Sequence, residues 1–401
     1  MNFSFSQLNS TAQVLLSLSL ILFAGFLATR ITKRLLLPNV TGYILAGILI
    51  GPSVLGLVPV QLIDNMSFFS DIVLGFIAFG VGEYFGRDAL KQTGASVLLI
   101  TVGEALFASA AVSLCMYYIF RLDFQFSLLL GVIAAATAPA GTMMTIRQYH
   151  AKGVFINNLL QVIAFDNVVS LLAFSVVTAV ISASASGTVK ASDILMPLVC
   201  NAIALIVGAL FGFLLSKLIT PGRSRDNRLI LTVAMLFTLC GICAAMDISP
   251  LLSCMIFSAV YINLTGDNRL YGQLNAFSPP ILSIFFVVSG MNLNLSTLKN
   301  VGIIGITYFA VRIIAKYLGA YGAAALVRAD KTVRNYLGLA LIPQAGVAIG
   351  LAFLGERMLP SDKGDLLLTI ILASSVLYEL VGPACAKGAL FMSGSIPKSE
   401  E

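Results

Sequence analysis

The chain has 401 residues, 58% of them hydrophobic and only 10% charged, with a formal net charge of +6 and a mean hydropathy of +0.97. Soluble globular domains carry about 25% charged residues, so a soluble enzyme or binding domain is excluded. Apolar stretches recur from end to end, which predicts an all-α polytopic membrane protein forming one integrated unit over 1–401.

The N-terminal "MNFSFSQLNSTAQ" is polar and uncharged and lacks the basic start of a cleavable signal peptide. A window of about 20 residues then gives thirteen spans. They lie near 12–29, 37–57, 66–85, 95–119, 125–146, 154–183, 192–218, 229–246, 250–264, 276–297, 301–326, 334–354 and 366–388. With the N-terminus outside, the cytoplasmic loops and C-terminal tail hold 17 of the 24 Lys and Arg residues, Arg30, Lys33, Arg34, Arg223, Arg225 and Arg228 among them. The other side holds Arg121, Lys190, Lys299, Arg357 and Lys363. This positive-inside asymmetry predicts an outer N-terminus and a cytoplasmic C-terminus, and it accounts for the basic balance without nucleic acid.

The fifth span contains "AAATAPAGTMM", with Thr137, Ala138, Pro139, Gly141 and Thr142 at mid-membrane, and the twelfth contains "ALIPQAGVAIG", with Pro343, Gln344 and Gly346. Proline removes an intrahelical bond and clashes with the preceding turn, so both spans are expected to be interrupted. Interrupted backbone at that depth lines a cavity or is buried in protein. Each is the fifth of a six-span set: repeat one at 12–183, a linker helix at 192–218, repeat two at 229–388. The odd linker inverts the second set, and paired interruptions in inverted halves point to a transporter's binding site.

The sixth span carries "VIAFDNVVSLL" (162–172), where Asp166 and Asn167 sit inside an apolar run. A buried carboxylate costs several kcal/mol unless paired or solvated, and an intramembrane ionisable residue is a candidate functional group. Arg312 and Lys316 lie four residues apart in the eleventh span, on one helix face. Glu104 in the fourth span and Glu379 in the last are candidate partners for Arg312, whereas Asp71 and Asp247 fall near span ends. Acid, cations and broken helices converge on a site that binds a proton and a dehydrated cation by turns. Thr137, Thr142, the backbone at Ala138 and Pro139, and the Asn167 amide are expected to add oxygen ligands.

Other chemistries find little support. Cys240 and Cys243 in "CGIC" read as small packing residues, and with one histidine, His150, no transition-metal site is expected by composition. "GVGEYFG" (80–86) ends a membrane span and opens no dinucleotide-binding βαβ unit. No cofactor is expected.

Six segments, taken together, carry a resemblance: "LPNVTGYILAGILIGPSVLGL" (37–57), "TAPAGTMMTIRQYHAKG" (137–153), "AFDNVVSLL" (164–172), "RIIAKYLGAYG" (312–322), "LIPQAGVAIGLA" (341–352) and "YELVGP" (378–383). In content and order they resemble the monovalent cation:proton antiporter superfamily, the branch of sodium/proton antiporters and potassium-efflux systems. The resemblance implies a homodimer, crossed broken helices in a core domain, elevator-like movement, and exchange of Na⁺ or K⁺ for H⁺. It matches Asp166 to the first of two adjacent family aspartates, linked to Lys316; the second, usually the principal binding acid, is Asn167 here. Asp166 beside Lys316 then sums to zero charge, which predicts weak cation affinity at neutral pH. Two alternatives stand beside antiport: a sodium-coupled organic solute symporter, and a transport-impaired sensor or trapped variant in which Asn167 stops the cycle.

Overall fold

The computed structural model describes residues 9–396 apart from 35–38, 88–93, 139–141, 144, 147–148, 186–190, 221, 247–249 and 294, and no strand occurs among the described residues. The chain opens with α1 (Ser10–Arg34), α2 (Asn39–Ile50), a short α3 (Val60–Asn65) and α4 (Ser67–Gly82). Next come α5 (Ala95–Leu114), which runs into a π-helical turn, α6 (Phe124–Ala135), α7 (Val154–Ala185), α8 (Ala191–Leu218) and α9 (Arg225–Ala245). The second half holds α10 (Pro250–Thr265), α11 (Arg269–Phe277), α12 (Pro279–Met291), α13 (Leu295–Leu326), α14 (Lys331–Ala340), α15 (Gly346–Glu356) and α16 (Ser361–Met392).

Five helices among the described residues are long and apolar enough to cross a membrane, or seven if two bent pairs each make one span. The remaining apolar helices are shorter than a bilayer core requires. Two of these, α6 and α15, adjoin the interrupted segments at 136–138 and 342–345. Helix α1 presents Leu15, Phe23, Phe26, Leu27 and Ile31 outward, a stripe that suits hydrocarbon rather than water.

Helix packing is set by small residues. Helices α1, α2 and α12 share a core of Ile21, Ala46, Ile50, Val287 and Met291. A Cβ on Gly47 would strike the Val287 carbonyl, and one on Gly290 the Ile44 carbonyl, so α2 and α12 meet backbone to backbone. Close approach through small residues is the usual way helices associate in lipid, where no hydrophobic drive operates between them. Helices α5 and α13 use the same device: a Cβ on Gly103 would lie 2.8 Å from the Ala323 side chain, and one on Gly319 3.0 Å from the Glu104 Cα. Around that pair, α7, α14 and α16 pack through Phe155, Leu159, Val162, Ala320, Leu337 and Leu390.

Both expected interruptions are present. Helix α6 opens on Asp123, whose carboxylate accepts from the Gln125 and Phe126 N–H groups, and α14 opens on Asp330, which accepts from Thr332 N–H. They end at Ala135 and Ala340, ahead of the residues that precede proline, Ala138 and Ile342. Such residues disfavour the helical conformation. The non-helical segments cross, and Ala138 N–H donates to the Pro343 carbonyl over 2.8 Å. Helix α15 starts at Gly346, while Pro139 and Gly141 lie outside the described residues.

Candidate functional site

Helix α7 buries Leu159, Val162, Ile163, Asp166, Asn167 and Ser170, a spacing of three and four that puts them on one face. On α13 the buried face is Tyr308, Arg312, Ala315, Lys316 and Ala320. Glu104 faces it from α5, where Gly319 allows the two backbones to meet. Asp166, Glu104, Arg312 and Lys316 are each 0% exposed.

Lys316 lies between two acids. Its Nζ is 2.8 Å from Asp166 Oδ2 and 2.8 Å from Glu104 Oε2, with Glu104 Oε1 at 3.1 Å. The Oε2 contact is short but off-line for a hydrogen bond, so there the attraction is electrostatic. One expectation changes here. Glu104 partners Lys316 and not Arg312, because α5 meets α13 one turn beyond Arg312. The ammonium therefore faces two carboxyl groups rather than one.

Asp166 Oδ1 and Asn167 Oδ1 are buried acceptors without a hydrogen-bond partner. The Asn167 amide donates to the Ile163 carbonyl over 3.1 Å, which fixes the group's orientation. Ser170 Oγ donates to the Asp166 carbonyl over 2.7 Å. Buried acceptors are normally satisfied, and buried oxygens left without a donor suit a hard cation.

Arg312 serves the backbone. Its Nε donates to Ala134 O, Nη1 to Ile342 O and Nη2 to Ala136 O, each over 2.7 Å. These are carbonyls at the C-terminal ends of α6 and α14, where an interrupted helix leaves acceptors unmatched and the dipole is negative. The guanidinium also lies over the Tyr378 ring, 4.6 Å from its centroid. The expected Arg312–Glu104 pair is therefore absent; the Glu379 side chain lies outside the described residues.

Gln344 completes the crossover. Its Nε2 donates to Ile133 O over 2.8 Å, and Tyr308 O–H reaches its Oε1 at 3.4 Å. Thr142 Oγ1 donates to Ala340 O over 2.9 Å and Thr137 Oγ1 to Leu341 O over 3.4 Å. Both threonine hydroxyls thus tie one broken helix to the other and retain lone pairs. Tyr308 and Tyr378 escaped the sequence reading, since aromatic residues in an apolar run look like packing. The one signal for Tyr308 is its position one turn before Arg312.

A multi-pass helical protein with crossed broken helices around buried charges has the organisation of a secondary transporter. The family model described as sodium/hydrogen exchanger, transmembrane, matches residues 18–383, and the chain belongs to that family. Its members move ions across membranes and are not enzymes in the catalytic sense. The structure of the sodium proton antiporter MjNhaP1 from Methanocaldococcus jannaschii at pH 8 is similar, with a TM-score of 0.78 at 19% identity, over 94% of this chain and 99% of that one. An electron-microscopy structure of the same antiporter gives a TM-score of 0.77 at 19% identity, over 96% and 99% of the two chains. At that identity the likeness establishes the fold.

Proposed function

We propose that this protein exchanges a monovalent cation, Na⁺ or K⁺, for protons, with Asp166 as the principal cation ligand and the Asn167 amide oxygen beside it. The observation that carries the reading is the fully buried Asp166 carboxylate, with one oxygen on the Lys316 ammonium and the other without a partner. A carboxylate there binds a dehydrated cation or changes its protonation, and competition between the two couples their fluxes if the site opens to one side at a time. Thr137, Thr142 and the carbonyls near Ala138 and Pro139 are the further oxygen ligands.

The proposed frame is a single transporter domain of thirteen spans, with repeats at 12–183 and 229–388 inverted about the helix at 192–218. Its N-terminus is outside and its C-terminus cytoplasmic. The chain works as a homodimer in the lipid bilayer, and the bundle holding the crossed helices moves as an elevator. Charge distribution over the loops and the matched interruptions support this frame.

Proteoliposomes loaded with a pH indicator test the function. Imposing a Na⁺ or K⁺ gradient is expected to drive proton movement the other way. A pH that stays constant with both ions, or movement only when an organic solute is added, overturns the proposal.

A further inference from the structure

We propose that α4 is the rail along which the crossed-helix bundle steps, and that two glycine notches in α15 set stops one helical turn apart. The inference rests on the antiport reading, in which the cation site opens to one side at a time. One face of α4 is fixed. A Cβ on Gly75 would lie 2.6 Å from Cys240 Sγ of α9, and one on Gly82 would strike the Ser258 side chain of α10. The Asn263 amide of α10 donates to the Phe85 carbonyl over 2.8 Å, holding the 3₁₀ turn Glu83–Phe85 that ends α4.

The opposite face of α4 makes contacts of another kind, with side chains seated against glycine. Leu74 fills the space that a Cβ on Gly350 would take, and Ile77 Cδ1 lies 3.0 Å from the place of a Cβ on Gly346. At one end Asp71 pairs with Arg357, just past α15, at 3.6 Å. At the other, the Phe85 ring meets that of Phe165, the residue before Asp166, with centroids 5.1 Å apart. The partners of α4 are tied into one body. Arg312 of α13 holds the Ala134, Ala136 and Ile342 carbonyls, and Lys316 joins α13 to Asp166 of α7.

Gly346, Gly350 and Leu354 form one row of α15, with neighbours four residues or about 6 Å apart. A step of α15 towards its own C-terminal end brings the Gly346 notch to Leu74. A step the other way sets Leu354 against Leu74 and is blocked. One-turn shifts of one packed element past another are an established form of switching. The allowed step carries Arg357 away from Asp71 and Phe165 away from Phe85, so both end contacts open together. The structure is thus one end of the stroke, held by the Gly350 notch and the ion pair.

Nitroxide labels at Met246→Cys, at the end of α9, and Met358→Cys, beyond α15, report the step; both positions are exposed. Pulsed electron resonance on full-length protein in detergent, with label-treated wild type as blank, is expected to give two separations. Gly346→Ala should leave the one this structure shows. Gly350→Ala should favour the other, and adding Leu74→Ala should restore the original mixture. Asp71→Asn should enrich the second separation by up to about 5-fold, the scale of an exposed ion pair, and high salt should do so only where Asp71 is present. A single separation in the labelled parent, or a shift in the same direction from both glycine variants, overturns the rail. Should a glycine variant fail to fold, an Asp71→Asn mixture equal to the parent's overturns it. Exchange in proteoliposomes is scored separately. Exchange with one separation overturns the rail alone, whereas two separations without exchange overturn antiport alone.

Discussion

The amide of Ala138 donates to the carbonyl of Pro343 over 2.8 Å, joining the two interrupted helices where they cross. Each segment supplies what the other lost when its helix broke, and Arg312 gathers three more of the freed carbonyls. The crossover is therefore a mutually satisfied unit, and its weak point is whichever side chain answers most acceptors.

That side chain is Arg312. A lysine keeps the charge but has no planar fork to reach three divergent carbonyls. Arg312→Lys is expected to lose about 2–3 kcal/mol of stability, on the scale of buried acceptors left unmatched. Thermal melts in detergent will show it; a melting temperature equal to wild type contradicts the staple.

Asp166→Asn leaves no titratable group on α7 beside the orphan oxygens. Exchange should fall by at least about 100-fold, the scale on which a positioned proton-transfer group acts. Proteoliposome flux measures this, and full exchange by the variant removes Asp166 from the cation site.

Gly319 holds α13 against α5. A valine there would press on the Glu104 backbone, since even a methyl lies 3.0 Å from its Cα. Separating the helices pulls Glu104 away from Lys316 and leaves a buried ion pair broken, at about 3–5 kcal/mol. Gly319→Val should melt earlier and lose exchange, whereas the same change at Gly322, where a Cβ meets nothing within 4 Å, should do neither.

Asp123 caps α6 and pairs with Lys363 at 3.3 Å. Desolvation works to raise its pKa, but the Phe126 N–H and the Lys363 ammonium outweigh it and hold the carboxyl below the ordinary range. A depressed folded pKa gives stability that is present above the unfolded value and lost as pH falls through the folded one. Both groups are partly exposed, so the contribution stays under about 1 kcal/mol. Asp123→Asn should melt slightly below wild type at pH 6, and the gap should close below about pH 3. A gap unchanged at low pH contradicts the assignment.

Much of this arrangement was legible in the sequence. Hydropathy gave the helical membrane class, and proline in two apolar runs marked the breaks, because both effects are local. Asp166, Lys316 and Arg312 stood out as charges that hydrocarbon rejects. What each cation touches was not legible. Lys316 meets Glu104 across 212 positions of sequence, and only the close approach at Gly319 decides that pairing. Arg312 was read as needing an acid, yet backbone carbonyls satisfy it, and their release depends on where each helix stops.

The seam between α2 and α12 is backbone against backbone, Gly47 on the Val287 carbonyl and Gly290 on that of Ile44. At these two contacts no side chain separates the backbones, so there are no rotamers there to swap. A one-residue shift along the seam would push Ala46 or Ile48 into space sized for hydrogen. These two helices are thereby locked in register, and any working stroke has to occur elsewhere. Spin labels placed one on each should keep a single separation in every ionic condition.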